Sequence, residues 1–557
     1  MTKLRLSGGT VYDPANSVDG RVADIWICDG RIVAVPATRD QTSYSSIDCV
    51  GRIVMPGGVD IHSHIVGPKV NAVRKMQPEL SMVRSHESPI SRNVRPDWRL
   101  GGNRTAPTIV DTGYKYLGLG YTTAMDAAIA PSAARAVHSE LEQFPGLDAG
   151  FFTLVGNHHF LLECAARGDQ AAATHFLGWL LDRCGAFAPK VVNPGGVENF
   201  KRHREGNARD LDATIDGFGT TPRAVIQLLA RSAAELKLPH PLHIHCNNLG
   251  LPGNWQTTLE TMRSLDGNAA HFAHIQFHSY GGAGESETAF RSQVQPLADY
   301  VNSHPEITVD VGQVLFGQTT SMTGDGPLGY YLSRLGGAKY HSSDTEVESG
   351  CGISPIHYKN KNFVHAMQWA IGLEWFLSVQ NPWQVALSTD HPNGATFLAY
   401  PQIIRLLMDR EFRRERIAEI NPRVLQHSPL AEMDREYSLA EIAIITRAAP
   451  ARMLGMKDKG HLGIGADADI TVYNPDPNYE QMFQLPWLVV KGGGVVLHDG
   501  NLGSPNLGKT YAVLPARDNA RDDRVTDWLS ERYSFDARHF GIDDRDEAAR
   551  EIVRIRP

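Results

Sequence analysis

The chain has 557 residues, of which 42% are hydrophobic and 21% are charged, and its formal net charge is -8 at pH 7. A nucleic-acid-binding protein usually carries a strongly basic domain, so this acidic balance argues against DNA or RNA as a partner. The six cysteines are scattered without a Cys-x-x-Cys pair, which excludes an obvious iron–sulfur or cysteine-type zinc site and disfavours a disulfide framework.

The ends and the apolar runs of the sequence bear on where the protein works. No apolar run reaches the roughly 18 residues that a membrane span needs, and the first residues lack the apolar core of a secretory signal. We therefore expect a cytoplasmic protein without a membrane partner. At this length, two or three structural units are expected.

Both ends of the chain carry short strand-like segments separated by turn residues. They occupy residues 1–54 and return near residues 469–473 and 487–497. We predict one small β domain built from both chain ends, with its first part at residues 1–54 and its second at 451–515. Residues 516–557 are dense in charges of both signs and are predicted to form a C-terminal tail without chemistry of its own.

Between residues 55 and 450, apolar strand-like runs alternate with helix-like segments. This alternation is typical of a parallel α/β architecture. We predict a (β/α)8 barrel with insertions, and a barrel of this kind carries its active site at the C-terminal ends of its strands.

One insertion, at residues 68–104, is rich in basic residues and includes Arg92 and Arg95. Long loops in compact domains are usually functional or form interfaces. Positive charge beside the strand ends would hold an anionic part of a substrate. A solvated loop or a subunit contact is the alternative.

The first chemical signal is Asp60, His62 and His64, which follow an apolar run. In a strand these three side chains would lie on one face. Neutral imidazoles are strong ligands for zinc and its neighbours, so the two histidines predict a metal site. A coincidental histidine pair is the alternative.

Lys190 begins a second apolar strand, a position at which lysine is normally a surface residue. A lysine removed from water, however, loses its charge readily. The neutral amine can then add carbon dioxide and become a carbamate, which is an anionic bridge suited to two metal ions.

Two further histidine pairs and a carboxylate come next along the chain. His243 and His245 share a strand face, and His245 is the better ligand because it lies nearer the rim of a barrel. His274 and His278 have the same parity, so geometry alone does not choose between them. Asp390 ends an apolar run, where it either caps the next segment or completes a hydrolytic metal site.

The order of these residues resembles the amidohydrolase superfamily, of the dihydroorotase and hydantoinase kind. Longer segments are similar to the corresponding subunits of formylmethanofuran dehydrogenases and of bacterial formyltransferase/hydrolase complexes. These segments are residues 190–196, 243–254, 274–282, 310–317 and 388–394. The resemblance covers most of residues 1–510.

The resemblance implies a binuclear centre of two divalent ions, with zinc as the expected metal. Its implied ligands are His62, His64, Lys190 as N6-carboxylysine, His245, His274 and Asp390. The resemblance also selects His274 over His278 and makes Asp390 the catalytic proton acceptor.

The implied reaction is hydrolysis of an N-formyl furan cofactor, formylmethanofuran or formylmethylofuran, to formate and the free amine. Expected substrate contacts are Asn193, Gln313, Arg92 and Arg95, with the two arginines facing an anionic tail of the cofactor. The implied partners are the other subunits of such a complex. The alternatives are a hydantoinase- or dihydropyrimidinase-like cyclic amidase, a non-catalytic scaffold subunit, and a metal-free protein that binds the furan cofactor.

Overall fold

A computed structural model describes most of the chain. The described residues are 2–76, 106–203, 207–208, 210–283, 290–323, 325, 330, 341–344, 350–503, 505, 507–518, 522–533, 537–542 and 550–557, with 341–344 and 350–351 described by their backbone alone. The predicted basic insertion therefore lies outside the described residues beyond its first helix, Pro68–Met76.

Eight parallel strands follow one another around a barrel in chain order. They are Gly58–Ser63, Tyr121–Ile129, Asp148–Leu154, Ala188–Val192, Leu242–His245, Ala270–Phe272, Ile307–Asp310 and Val385–Ala386. A parallel bridge between Ser63 and His391 joins the first strand to the segment after the eighth. The predicted (β/α)8 fold is thereby confirmed.

The described residues form helices in both parts of the molecule, and the longer ones pack against the barrel strands. The α-helices are Thr38–Gln41, Pro68–Met76, Ile109–Gly118, Ala134–Leu141, His159–Arg167, Gln170–Cys184, Gly196–Arg202, Pro222–Glu235, Asn254–Arg263, Val294–Ser303, Phe363–Ser378, Tyr400–Met408, Arg410–Glu419, Leu439–Ala443, Ala449–Met453, Tyr479–Gln484 and Asp522–Arg532.

Helix Pro222–Glu235 shows how the sequence specifies these elements. Thr221 caps it by accepting a hydrogen bond from the backbone N–H of Ala224, and proline occupies the first helical turn, where its missing N–H costs nothing. Its buried residues include Val225 and Leu229, one helical turn apart. The helix therefore presents a continuous apolar stripe to the barrel.

A second sheet is assembled from both ends of the chain. Its strands are Lys3–Asp13, Val18–Cys28, Arg31–Val33, Ser45–Asp48, Ile53–Pro56, Ile470–Tyr473, Leu488–Lys491, Gly494–His498 and Asn501–Leu502. Ile53–Pro56 pairs antiparallel with Ile470–Tyr473, which joins the two halves. The small β domain predicted from both ends is present.

The sheet pairing divides the C-terminal part differently from the predicted boundary at residue 515. Thr510–Val513 joins the barrel sheet beside the third strand, and Ile552–Ile555 pairs parallel with Thr510–Val513. Between them, helix Asp522–Arg532 buries Val525 and Leu529 against the body. The predicted tail is thus partly integrated into the barrel.

A buried ionic cluster fastens the small domain to the bottom of the barrel. Lys459 lies 2.7 Å from carboxylate oxygens of both Asp467 and Asp469 and also pairs with Asp148 of the third barrel strand. Lys491 lies 2.8 Å from Asp148 and 3.0 Å from Asp469. Although burial opposes ionisation, the two lysines hold the pKa of Asp148 below its usual range.

A three-stranded antiparallel sheet is inserted after the seventh barrel strand. It consists of Gly317–Thr323, His341–Asp344 and Gly350–Tyr358. Its Met322 N–H donates to Asn393, and Tyr358 donates its hydroxyl to the Asn393 carbonyl, 3.0 Å away. This sheet therefore lies against the loop that follows the eighth strand. A two-stranded sheet of Tyr280–Gly281 and Arg291–Ser292 completes the strands.

Among the residues that the structure describes, no helix combines the length and the apolarity that a membrane crossing requires.

Candidate metal centre

The first group of candidate ligands lies at the seam between the first and eighth barrel strands. Nε2 of His62 and Nε2 of His64 each lie 3.1 Å from the same oxygen, Oδ1 of Asp390. One ligand atom from each residue lies within 4.8 Å of the other two. All three side chains are buried, so the group forms a compact site for a cation.

Asp390 is held at this seam by Ser388. The Ser388 hydroxyl donates to the backbone carbonyl of His62 at 2.9 Å and accepts from the Asp390 N–H at 2.8 Å. Although burial opposes ionisation, His274 and His62 hold the pKa of Asp390 well below its usual range. The carboxylate is therefore ionised at neutral pH, as a ligand or proton acceptor must be.

The second group joins the fifth strand to the turn after the sixth. It contains His245, His274 and His278, whose ring centroids lie 4.7 Å apart for His245 and His274 and 5.2 Å apart for His245 and His278. Burial lowers the pKa of His274 and His278 well below the usual value, so both rings are neutral and able to bind a metal. The structure thus brings His278 to the same site as His274, and the choice between them stays open on geometry.

Lys190 lies inside the barrel on the fourth strand, paired in register with His243 on the fifth. It is 1% exposed, and its Nζ has no hydrogen-bond partner among the described residues. Burial lowers the pKa of Lys190 to about 7. A neutral amine in this position can be carboxylated at physiological pH.

The donor set fits divalent metal binding, and the described residues offer more than one group of ligands for it. Buried atoms without a hydrogen-bond partner among the described residues include His62 Nε2, His274 Nδ1, Lys190 Nζ and Asp390 Oδ1. An unsatisfied buried polar group costs about 1–3 kcal/mol, so a cluster of them indicates a missing partner at their centre. Imidazole and carboxylate ligands suit zinc and similar metals.

Asp310, at the end of the seventh strand, supports this site and was not singled out by the sequence. Its Oδ2 accepts from His62 Nδ1 at 2.8 Å and from His271 Nε2 at 3.2 Å, and its Oδ1 accepts from the backbone N–H of His274 at 2.9 Å. One carboxylate therefore orients a candidate ligand from each group. Its position at a strand end, within the family-like segment 310–317, was the sequence signal that could have identified it.

Asp60 does not share the site with His62 and His64, contrary to the expectation from strand alternation. Its carboxylate accepts from the hydroxyls of Tyr116 and Tyr400 at 2.7 and 2.6 Å. The pairing register of the first strand shifts between Asp60 and Ser63, which breaks the alternation of faces. Burial raises the pKa of Asp60 to about 6.

The predicted substrate contacts have different environments. Asn193 is buried, and its amide donates to Asp325 at 3.1 Å, while the other oxygen of Asp325 lies 3.2 Å from His245 Nε2. Gln313 is also buried, but its amide donates to the backbone carbonyl of Trp369 at 3.0 Å, within helix Phe363–Ser378. Its Oε1 is buried without a hydrogen-bond partner among the described residues, so Gln313 stays a predicted substrate contact. Arg92 and Arg95 lie outside the described residues.

A parallel barrel that gathers histidines, a lysine and a carboxylate at the C-terminal ends of its strands is the architecture of a metal-dependent hydrolase. The chain belongs to the amidohydrolase family, whose sequence profile matches residues 46–496. This confirms the family resemblance that the sequence motifs indicated and makes the protein a hydrolase of a metal-dependent family.

Full-length relatives narrow this assignment. Protein FwdA of Methanocaldococcus jannaschii is 41% identical over 527 residues, which cover 91% of this chain and 90% of that protein. The FhcA component of the formyltransferase/hydrolase complex of Methylorubrum extorquens is 38% identical over 553 residues, which cover 97% and 96% of the two chains.

A solved structure agrees with these relatives. It is the crystal structure of the formyltransferase/hydrolase complex (FhcABCD) from Methylorubrum extorquens in complex with methylofuran, and it matches with a TM-score of 0.90 at 36% identity. The match covers all of both chains.

Proposed function

We propose that this chain hydrolyses the formamide bond of an N-formyl furan cofactor, formylmethanofuran or formylmethylofuran, and releases formate and the free amine. The observation that carries the proposal is the buried arrangement of His62, His64, Lys190 and Asp390, together with the second histidine group, in a chain similar over its whole length to FhcA. The FhcABCD structure, which shares this fold, contains methylofuran, and this supports a furan carrier as the substrate class.

The proposed centre holds two divalent ions, with zinc as the expected metal. His62, His64 and Asp390 would hold one ion, and His245 and His274 the other, with His278 as a further donor beside them. Carboxylated Lys190 would lie between the two groups. When bound, such ions supply Lewis acidity and a water molecule that ionises near neutral pH.

The protein groups then have distinct tasks. The ionised carboxylate of Asp390 accepts the proton of the attacking water and returns it to the departing amine. Asn193, fixed by Asp325 beside His245, lines the substrate side of the centre. The basic insertion with Arg92 and Arg95 would attract an anionic tail of the cofactor.

We further propose that the chain works as one member of a multi-subunit complex, as its relative FhcA does. The residues of the centre all belong to this one chain, so the other subunits would supply or consume formyl groups without completing the site. Transfer of an anionic carrier between subunits is consistent with the basic sequence of residues 68–104.

The decisive experiment combines elemental analysis of the purified protein with a formyl-hydrolysis assay. We expect about two equivalents of a divalent metal per chain and release of formate that a chelator abolishes and added metal restores. A protein that binds metal but cleaves a hydantoin or dihydropyrimidine in preference to the formyl furan would contradict the substrate. A protein without metal and without turnover would contradict catalysis altogether.

A further inference from the structure

Three buried histidines form a row from the candidate metal centre to the bottom of the barrel. Nε2 of His243 lies 3.1 Å from Nδ1 of His62, and Nε2 of His240 lies 3.1 Å from Nδ1 of His243. At the far end, Nδ1 of His240 lies 2.8 Å from the backbone carbonyl of Met453. All three rings are at most 1% exposed, so water does not compete for their nitrogens.

The contacts at the upper end of the row determine which ring nitrogen of His62 carries the hydrogen. The Asp310 carboxylate, 2.8 Å from His62 Nδ1, can only accept, so Nδ1 of His62 must carry the hydrogen. His243 Nε2 faces that same N–H and must therefore be the bare nitrogen of its ring. A neutral His243 then carries its hydrogen on Nδ1 and donates it to His240 Nε2.

The lower end of the row requires the same arrangement independently. The Met453 carbonyl can only accept, so His240 carries its hydrogen on Nδ1. With a bare Nε2, His240 accepts from His243 Nδ1, as the upper end demands. The reverse polarity would place a bare Nδ1 of His62 against the Asp310 carboxylate, which is repulsive. In the assigned tautomer the bare Nε2 lies 3.1 Å from Asp390 Oδ1, and a metal ion bound by both atoms would remove the repulsion there. Both ends thus assign one tautomer to every ring, from hydrogen-bond geometry.

We propose that His240 and His243 are positioning residues that hold His62 in the tautomer with its hydrogen on Nδ1, so that Nε2 faces the metal centre with its lone pair free. This inference rests on the proposed role of His62 as a metal ligand. The last fixed point of the row is the carbonyl of Met453, at the end of helix Ala449–Met453. The polypeptide that leads into the small domain therefore contributes to the state of a ligand at the opposite end of the barrel.

Three variants separate this role from simple packing. In His240→Phe the ring that stacks on Phe152, with centroids 5.1 Å apart, keeps its shape but loses the acceptor for His243. In His240→Gln one donor and one acceptor remain, so the polarity can be kept. His138→Phe is the matched control, because buried His138 also contacts a backbone carbonyl, that of Cys184, on a helix outside the barrel.

The experiment uses the full-length chain, purified with any subunits that accompany it. We measure zinc affinity by competition with a chromophoric chelator and the ring nitrogen resonances of ¹⁵N-histidine-labelled, zinc-loaded protein. We expect Nδ1–H on both His62 and His243 in the zinc-loaded wild type and a zinc affinity about 10- to 100-fold lower in His240→Phe. His240→Gln should recover most of this loss, and His138→Phe should bind zinc as the wild type does.

Wild-type zinc affinity in His240→Phe, or a hydrogen on Nε2 of His243 in the zinc-loaded wild type, would overturn the proposal. A loss shared equally by His240→Phe and His138→Phe would assign the effect to general destabilisation and overturn it as well. Failure of the proposed function is distinguishable, because a protein with the assigned tautomer and tight zinc binding would then fail only in formyl hydrolysis.

Discussion

Replacing Asp310 by Asn should weaken metal binding while the overall fold is kept. Asp310 accepts three hydrogen bonds, from His62, His271 and the backbone of His274. A hydrogen bond to a charged group contributes about 1.5–3 kcal/mol and a neutral one about 0.5–1.5 kcal/mol, so loss of the charge costs about 1 kcal/mol per bond and about 3 kcal/mol in all. In addition, the new amide N–H₂ must face a donor.

This cost falls on the orientation of His62 and His274, one candidate ligand from each group. Loss of such an outer partner typically lowers metal affinity about 10- to 100-fold. Zinc affinity of Asp310→Asn is measured by chelator competition, and thermal unfolding of the metal-free protein is measured by circular dichroism. We expect the zinc affinity and the unfolding temperature of the metal-free protein both to decrease.

The control is Glu374→Gln, which replaces another buried carboxylate, one hydrogen-bonded to Ser292 and Ser428 on the side of helix Phe363–Ser378. It should leave zinc affinity unchanged. Wild-type zinc affinity in Asp310→Asn would refute the claim that this carboxylate orients the ligands.

Three further predictions concern catalysis, pH dependence and the domain junction. Asp390→Asn should fold normally by circular dichroism while turnover in the formyl-hydrolysis assay falls by several orders of magnitude; near-normal turnover would exclude Asp390 as the proton acceptor. Burial raises the pKa of Glu374 to about 7 in the folded protein, so its contribution to stability is complete below the unfolded pKa and is lost as pH rises through the folded one, by about 3 kcal/mol. In denaturant titrations, the free energy of unfolding of Glu374→Gln should therefore depend less on pH between these two pKa values than that of the wild type, and the same pH dependence in both proteins would contradict the prediction. Lys459→Met leaves the carboxylates of Asp148 and Asp469 underneutralised and should reduce the free energy of unfolding by about 3–5 kcal/mol, whereas Arg414→Ala, at an exposed ion pair, should remain near wild type; equal effects would show that the buried cluster is not the stabilising element.

The sequence predicted the barrel and singled out candidate ligands because both leave local signals. Alternating strand and helix patterns specify a parallel barrel, and a histidine at a strand end is visible without knowledge of its neighbours. His62, His64, Lys190 and Asp390 were found in this way, and the structure brings His62, His64 and Asp390 together.

What the sequence did not predict depends on departures from regular strands or on contacts between strands. The parity argument for His274 and His278 assumed a strand, whereas the strand ends at Phe272 and His274 has a φ of 35°. The same argument failed for Asp60 because the register of its strand shifts. Asp310 was missed because its role depends on its proximity to His62 in the folded chain, and no local sequence pattern indicates that proximity.

The integration of the C-terminal segment into the barrel sheet also lacked a sequence signal. Thr510–Val513 is a short apolar strand, and such a strand fits either sheet equally well from its pattern alone. Its position beside the third barrel strand is decided by tertiary packing.

The seam between the first and eighth strands has a consequence for assembly of the molecule. Ser388 and His62, which hydrogen-bond across it, are 326 positions apart in the chain. The earliest and the latest of the proposed ligands therefore meet only when the last strand docks on the first. An ion bound by both His64 and Asp390 would link the first strand to the segment after the eighth. Closure of the barrel during folding and assembly of the metal site would then occur in the same step.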